Sequence, residues 1–405
     1  MEPPPTASRP PGRRLAWRGF ALLGVGIAVS LGTMGLARYP GVVERVYGAE
    51  VGPRVARALS ILTGWAPFSV AVVLVVGLAS LFAVRWCLVA ARLRKDAKAD
   101  RVATVVREAN RFAGVVGILL LLFYPLWGFH YARAPLDERL GLQSDSVVET
   151  EALVDLLRLA VTRTNQAYLA VHGGIEDAGA PTRGRVDPVE ISRALEVGWA
   201  RVAPALGMSR VAARSYGPVK TRGVTWMVDF LDIAGIYVPF TGEAHASGSQ
   251  PDLSFPAVAA HEQAHQRGIA WENEATFAGA LAAIHADDAL ARYSGWARVL
   301  RALQADIVRV DREAWRTARG DLLPGVLRDW QGYIDYLLDS RSVAAPIVEA
   351  TNDAYLRAHG VPGGIQSYDR VTTLLLAWAR RHGGDLVIDD SVTESGTAGA
   401  RSGSE

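Results

Sequence analysis

Two histidines four residues apart with a glutamate between them, His261-Glu262-Gln263-Ala264-His265, have the types and spacing of a metal centre. On a helix, positions i and i+4 lie one turn apart on one face, so both imidazoles can reach a single Zn²⁺ at about 2.0–2.1 Å. Glu262 is offset by about 100° and flanks the metal instead of binding it, as suits a base that deprotonates a zinc-bound water. The local sequence predicts the helix. Ser254 is a candidate cap, Pro256 stands in the first turn, and Gly268 follows the last turn as a stop.

A catalytic zinc takes three protein ligands and keeps a fourth position for water. Cys87 is the only cysteine, so the ligands must be histidine and carboxylate. Glu272 is the preferred third ligand. In a helix continuing straight on it would lie about 10 Å beyond His265, so the chain must reverse at Gly268. Glu274 is the alternative, with His285 and His245 less well placed. Acidic residues also favour the start of an ordinary solvated helix, which is the plainer reading of Glu272 and Glu274.

A peptide substrate needs a wall to lie against. Gly235–Phe240, rich in β-branched and aromatic residues, predicts a short strand, and Pro239 confines it to an edge, where an extended peptide can pair with it. Tyr237, Glu243 and His245 are then candidates to line the cleft. Tyr293 and Tyr368 are candidate oxyanion donors, although buried core tyrosines are commoner than catalytic ones. His130 reads as an interfacial polar group.

The elements that must carry these residues divide the chain in two. Residues 17–132 read as a membrane anchor with three apolar spans at about 17–37, 65–90 and 112–131, each long enough for about 30 Å of hydrocarbon. The mean hydropathy of +0.14 agrees. Seven basic residues from Arg92 to Arg111 lie between the second and third spans, against four between the first and second. This difference predicts a cytoplasmic N-terminal tail (1–16) and an extracytoplasmic domain from 133 to 390.

That domain reads as mostly helical, with an amphipathic helix over about Thr150–His172, another after Asp187-Pro188, and a helical run from Phe255 to about Arg381 with breaks near Gly320, Pro324 and Gly360–Gly364. Residues 391–405 read as disordered. The fold class is therefore mainly α, with a zincin-like soluble domain and one edge strand. A net charge of +2 with scattered basic residues argues against nucleic acid as a partner. The expected partners are the lipid bilayer and a peptide or protein substrate.

Trp127-Gly128 with Tyr131, Arg133 and Pro135, Gly235–Glu243, His261–Gly268, Glu272–Phe277, Arg292–Gly295 and Ser367-Tyr368 together resemble the bacterial membrane family called domain of unknown function 3810. The resemblance implies three N-terminal spans in a bacterial cell membrane, an HExxH domain and metallopeptidase-like activity. Glu272-x-x-Ala275 is also similar to the Glu-x-x-Ala-Asp segment of membrane-linked gluzincin peptidases, whose first glutamate binds zinc. Thr276 stands here in place of that aspartate.

The expected function is zinc-dependent hydrolysis of peptide bonds on the outer face of the membrane. The alternative is a zinc-binding sensor or scaffold that does not cut. Cleavage inside the bilayer is disfavoured by the charged residues around the motif, Asp252, Arg267, Asp287 and Asp288 among them.

Overall fold

The computed structural model describes residues 17–95, 98–143, 149–174, 179–359 and 370–388. The expected N-terminal and C-terminal tails, and Tyr368, lie outside the described residues. The chain opens with α1 (Arg18–Leu36), then α2 (Pro40–Val43), a π-helical stretch (Glu44–Val51) and α3 (Gly52–Gly64), followed by α4 (Val70–Lys95) and α5 (Lys98–Leu126). Among the described residues, three segments are long and apolar enough to cross a membrane: Arg18–Leu36, Val70–Lys95 and Arg101–Leu126.

Two expectations about this region are corrected. The third span stops at Leu126, short of 131, and its helix begins at Lys98, well before 112. Arg107 and Arg111, read as loop residues, lie on that helix. Glu108 beside them accepts hydrogen bonds from Arg85 Nε (2.9 Å) and Arg111 (2.8 Å), which offsets part of the positive charge, and the helix continues through them. The segment between the first two spans is likewise helical from Pro40 to Gly64.

Small residues let α1 and α5 pack closely, as membrane helices do in the absence of a hydrophobic force between them. A Cβ on Gly26 would stand 3.0 Å from the Gly117 carbonyl oxygen. The Asn110 side chain of α5 accepts from the backbone N–H groups of Gly19 (3.0 Å) and Phe20 (3.1 Å), satisfying first-turn donors that α1 cannot satisfy itself.

Beyond the spans come a 3₁₀ turn (Gly128–Ala132), α6 (Leu136–Leu140), α7 (Thr150–Val171), α8 (Pro188–Val202) and α9 (Thr225–Phe230). The Asp187 carboxylate caps α8 by accepting from Val189 and Glu190. Then follow β1 (Gly235–Val238), β2 (Glu243–Ala246), α10 (Phe255–Gln266), α11 (Glu272–Ile284), α12 (Ala289–Val310), α13 (Arg312–Gly320), α14 (Pro324–Asp339), α15 (Ala345–Ala358) and α16 (Val371–Arg381).

α11 is the axis of the domain. Every residue of it after Glu272 is buried, and α8, α10, α12 and α16 pack around it. Alanine and glycine make this possible. A Cβ on Gly279 would stand 2.9 Å from the His261 backbone nitrogen, and one on Gly198 would overlap the Ala282 carbonyl. The core continues through Leu153, Leu157, Leu195, Trp199, Phe277 and Trp378, all fully buried. β1 and β2 pair antiparallel, Gly235 opposite Ala246 and Val238 opposite Glu243. Lys220 bridges the far side of β2 at His245, so β2 is interior and β1 forms the edge.

Candidate metal centre

α10 carries His261, Glu262 and His265, and its end determines what they meet. Gly268 has φ +84°, a left-handed conformation that glycine adopts freely. The Ile269 N–H donates to the Ala264 carbonyl at 3.1 Å and the Gly268 N–H to His265 at 2.8 Å, the paired closing bonds of a Schellman motif. The chain thereby reverses within five residues and α11 starts at Glu272. The Glu272 carboxylate oxygen comes 3.0 Å from His261 Nε2 and 3.4 Å from His265 Nε2. One ligand atom from each of the three residues lies within 4.8 Å of the others.

The outward nitrogens are set by the bonds behind them. His265 Nδ1 lies 2.7 Å from the Ile269 carbonyl, which can only accept, so Nδ1 carries a proton and Nε2 is the nitrogen that faces the cluster. His261 Nδ1 lies 3.2 Å from Thr276 Oγ1, which also accepts from Arg298 at 3.3 Å. Thr276 thus holds His261 from behind.

Within the cluster, burial pushes His265 down, but the Glu272 charge and hydrogen bond lift it to about 9. Burial pushes Glu272 up, and the attraction of His265 with hydrogen bonds from both histidines more than offsets it, leaving the carboxylate ionised. Glu262 is buried, and that raises it to about 8; the His265 charge and the Tyr237 backbone N–H pull the other way.

Arg133 locks the reversal from outside. It donates to the Gly268 carbonyl at 2.7 Å and pairs with both carboxylate oxygens of Glu44 at 2.6 and 2.9 Å. His130 packs under Gly268 between Trp127 and Tyr47, with ring centroids 5.3 and 4.8 Å away. It is a buried wedge, not an interfacial group.

The cluster lies in a cleft of about 880 Å³. β1 forms one wall. The Ser247 N–H donates to the Ala234 carbonyl, and from that pair the alternation of the ladder turns the backbone groups of Gly235 and Tyr237 away from β2, toward Glu262. Gly235 is required there, since a Cβ would stand 2.8 Å from the Glu262 Oε1 atom. Tyr131 and Tyr355 close the cleft near Trp127, and Arg298 and Arg301 of α12 line it as well.

Several candidate residues are elsewhere. Glu274 points away from the cluster, accepting from the Leu136 N–H at 2.6 Å and pairing with Arg139 at 3.4 Å. His285 ends α11, its Nε2 accepting from the Ile388 N–H. Tyr293 is a core residue that donates to Asp329 at 3.0 Å.

Glu243 and His245 share the face of β2 that meets the start of α4, so neither lines the cleft. The Glu243 carboxylate accepts from the Val70 and Ala71 N–H groups at 3.0 and 2.7 Å and pairs with buried Lys220. His245 bonds Ser69 at 2.8 Å. Burial raises Glu243, but Lys220 and the two N–H groups bring it below its ordinary value. These groups cap a spanning helix.

A family model described as "Protein of unknown function (DUF3810)" matches residues 47–376. The chain belongs to this family. No curated protein and no solved structure matches it. The DUF3810 match begins at Tyr47, after the first span, and takes in the second and third spans, the cleft and most of α16. It covers each group that surrounds the cluster, including Tyr131, Thr276, Arg298 and Tyr355, none of which carries a local sequence signal for a role at the site. Tyr131 stands in the Trp-Gly-x-x-x segment after the third span, where an aromatic ring reads equally well as a headgroup anchor.

Proposed function

We propose that this DUF3810 chain is a zinc-dependent peptidase of the bacterial cell membrane, with its cleft on the extracytoplasmic side. The observation that carries the reading is the convergence of two outward imidazole nitrogens and one ionised carboxylate beside a buried glutamate and an edge strand. The donor set fits zinc. Tetrahedral ligands at about 2.0–2.1 Å from an ion stand roughly 3.3 Å apart, and the Glu272 oxygen is 3.0 and 3.4 Å from the two nitrogens.

His261, His265 and Glu272 would hold the ion, with Ile269 and Thr276 orienting the histidines. A bound Zn²⁺ supplies Lewis acidity toward water and the scissile carbonyl. The charge of a bound ion would favour the ionised form of Glu262, which takes a proton from the attacking water and passes it to the leaving amine. The outward backbone groups of Gly235 and the outward Tyr237 carbonyl align an extended peptide by strand addition. The phenols of Tyr131 and Tyr355 remain protonated, since burial raises both, and can donate to a developing oxyanion. Arg92, Arg94 and Lys95 at the end of α4 favour a cytoplasmic α4–α5 hairpin, which leaves the cleft outside.

The test is full-length protein purified in detergent, analysed for metal and incubated with a broad peptide library beside Glu262→Gln. Chelator-sensitive cleavage by the wild type alone, with equal zinc in both proteins, is expected. Cleavage retained in Glu262→Gln overturns the mechanism, and zinc without cleavage in either protein favours a non-catalytic scaffold.

A further inference from the structure

Resting on that peptidase reading, we propose that the substrate is itself anchored in the membrane and is cut in the segment that emerges from the bilayer. The level of the bilayer can be read from the spans. α1 has 19 residues, about 28 Å at 1.5 Å per residue, nearly the full hydrocarbon thickness of about 30 Å. Gly19 meets Asn110, Gly26 meets Gly117, and Ser30 bonds Tyr124 at 2.5 Å, so α1 and α5 run in parallel and Leu36 is level with Trp127. The outer edge of the hydrocarbon therefore falls at Leu36 and Trp127.

Trp127 touches the metal cluster directly. Its ring centroid is 5.8 Å from that of His265 and 5.2 Å from that of Tyr237 on the edge strand. The headgroup layer on each side is about 5–8 Å thick, so the cluster sits within it or just above it.

A second route gives the same level. The outer end of α4 is bonded through Ser69, Val70 and Ala71 to His245 and Glu243 of β2, and β2 pairs with β1 of the cleft wall. At that corner Ile61, Leu62, Trp65 and Phe68 expose apolar side chains, as an interface helix does where it meets lipid.

The cleft begins at this level and runs on along α15. α15 lines it from Tyr355, whose ring meets Phe123 of the third span at 6.3 Å, to Ala345, ten residues and about 15 Å away. A chain leaving the bilayer beside α5 passes Tyr237 and the cluster within its first few residues. A soluble peptide must reach the same place through the headgroups.

The experiment uses full-length protein in proteoliposomes and a library of anchored substrates. Each member has one transmembrane helix followed by the same randomised segment twice, about five and about forty residues from the helix. A matched library lacks the helix, and new termini are mapped by mass spectrometry with Glu262→Gln as the blank. At least tenfold preference for the near copy in anchored chains, and equal cutting of the two copies in soluble chains, is expected. Equal cutting of both copies in anchored chains, or soluble chains cut as fast as anchored ones, overturns the proposal while leaving the peptidase intact. No cutting of either library overturns the peptidase reading itself.

Discussion

Replacing Gly268 with alanine perturbs the element that brings Glu272 to the histidines without removing any ligand. Two costs add. An alanine at φ +84° takes a left-handed conformation worth about 1–2 kcal/mol. Its Cβ would also overlap His130 Cε1 and stand 2.9 Å from both ring nitrogens. His130 is buried at 4 % exposure between Trp127 and Tyr47 and cannot swing aside, so overpacking adds about 1–3 kcal/mol.

The sum is about 2–5 kcal/mol, and part of it will be relieved by moving the 268–272 segment away from α10. Since about 1.4 kcal/mol is tenfold in an equilibrium constant, zinc affinity is expected to fall by about 10–100-fold. Chelator competition on full-length protein reads the affinity, and thermal unfolding reads the stability. In a His130→Ala background the overlap is gone, and Gly268→Ala should then cost only its conformational part, about 1–2 kcal/mol. Wild-type zinc affinity and melting temperature in Gly268→Ala would refute the reasoning, as would an undiminished cost in the His130→Ala background.

Thr276→Val removes the hydroxyl behind His261 Nδ1, and zinc affinity is expected to drop by about 10–100-fold, with Thr276→Ser restoring most of it. Calorimetric titration decides, and equal affinity for the valine and serine variants would refute an orienting role. The Glu44 carboxylate, which burial alone would raise, is held below 4.5 by Arg133 and Arg139. A carboxylate with a lowered folded-state value stabilises above its unfolded value and loses that contribution as the pH falls through the folded one. Glu44→Gln should therefore melt below the wild type at pH 6–7 by about 1–3 kcal/mol, with the gap closing below about pH 4.5. A gap that is constant with pH would show that the charge of Glu44 is not what stabilises the fold.

Sequence made the cluster legible wherever the controlling interactions are local. The histidine spacing, the stop at Gly268 and the cap at Asp187 each act within one or two helical turns. So does the demand for a reversal before Glu272, which follows from helical rise alone and is met by the Schellman bonds at Ala264 and His265. The β-branched run at Ile236–Val238 likewise forms its edge strand, although its partner β2, with the sequence Glu-Ala-His-Ala, carries no strand signal and is held by its neighbours on both sides.

What was illegible depends on contacts far apart in the chain. Glu243 and His245 follow the edge strand directly and read as cleft residues, yet the pleat turns both toward α4, where they meet the Val70 and Ala71 N–H groups and the Ser69 hydroxyl about 170 residues earlier. Tyr355 lies more than 80 residues beyond Glu272 and joins the cleft only because α15 returns to the end of the third span. The charged start of α5 escaped hydropathy because Arg85, Glu108 and Arg111 satisfy one another across two helices.

Apart from the Arg85–Glu108–Arg111 group, these long-range contacts tie the surroundings of the cluster to the spans or to the helical segment between them. Glu243 ties it to α4, Trp127 and Tyr355 to α5, and Glu44 through Arg133 to the helix that precedes the second span. A metal helix in a freely tethered domain would need none of them. Their presence makes the position of the cluster relative to the span ends a fixed feature of the fold, and the two-copy substrate measures the consequence of that position.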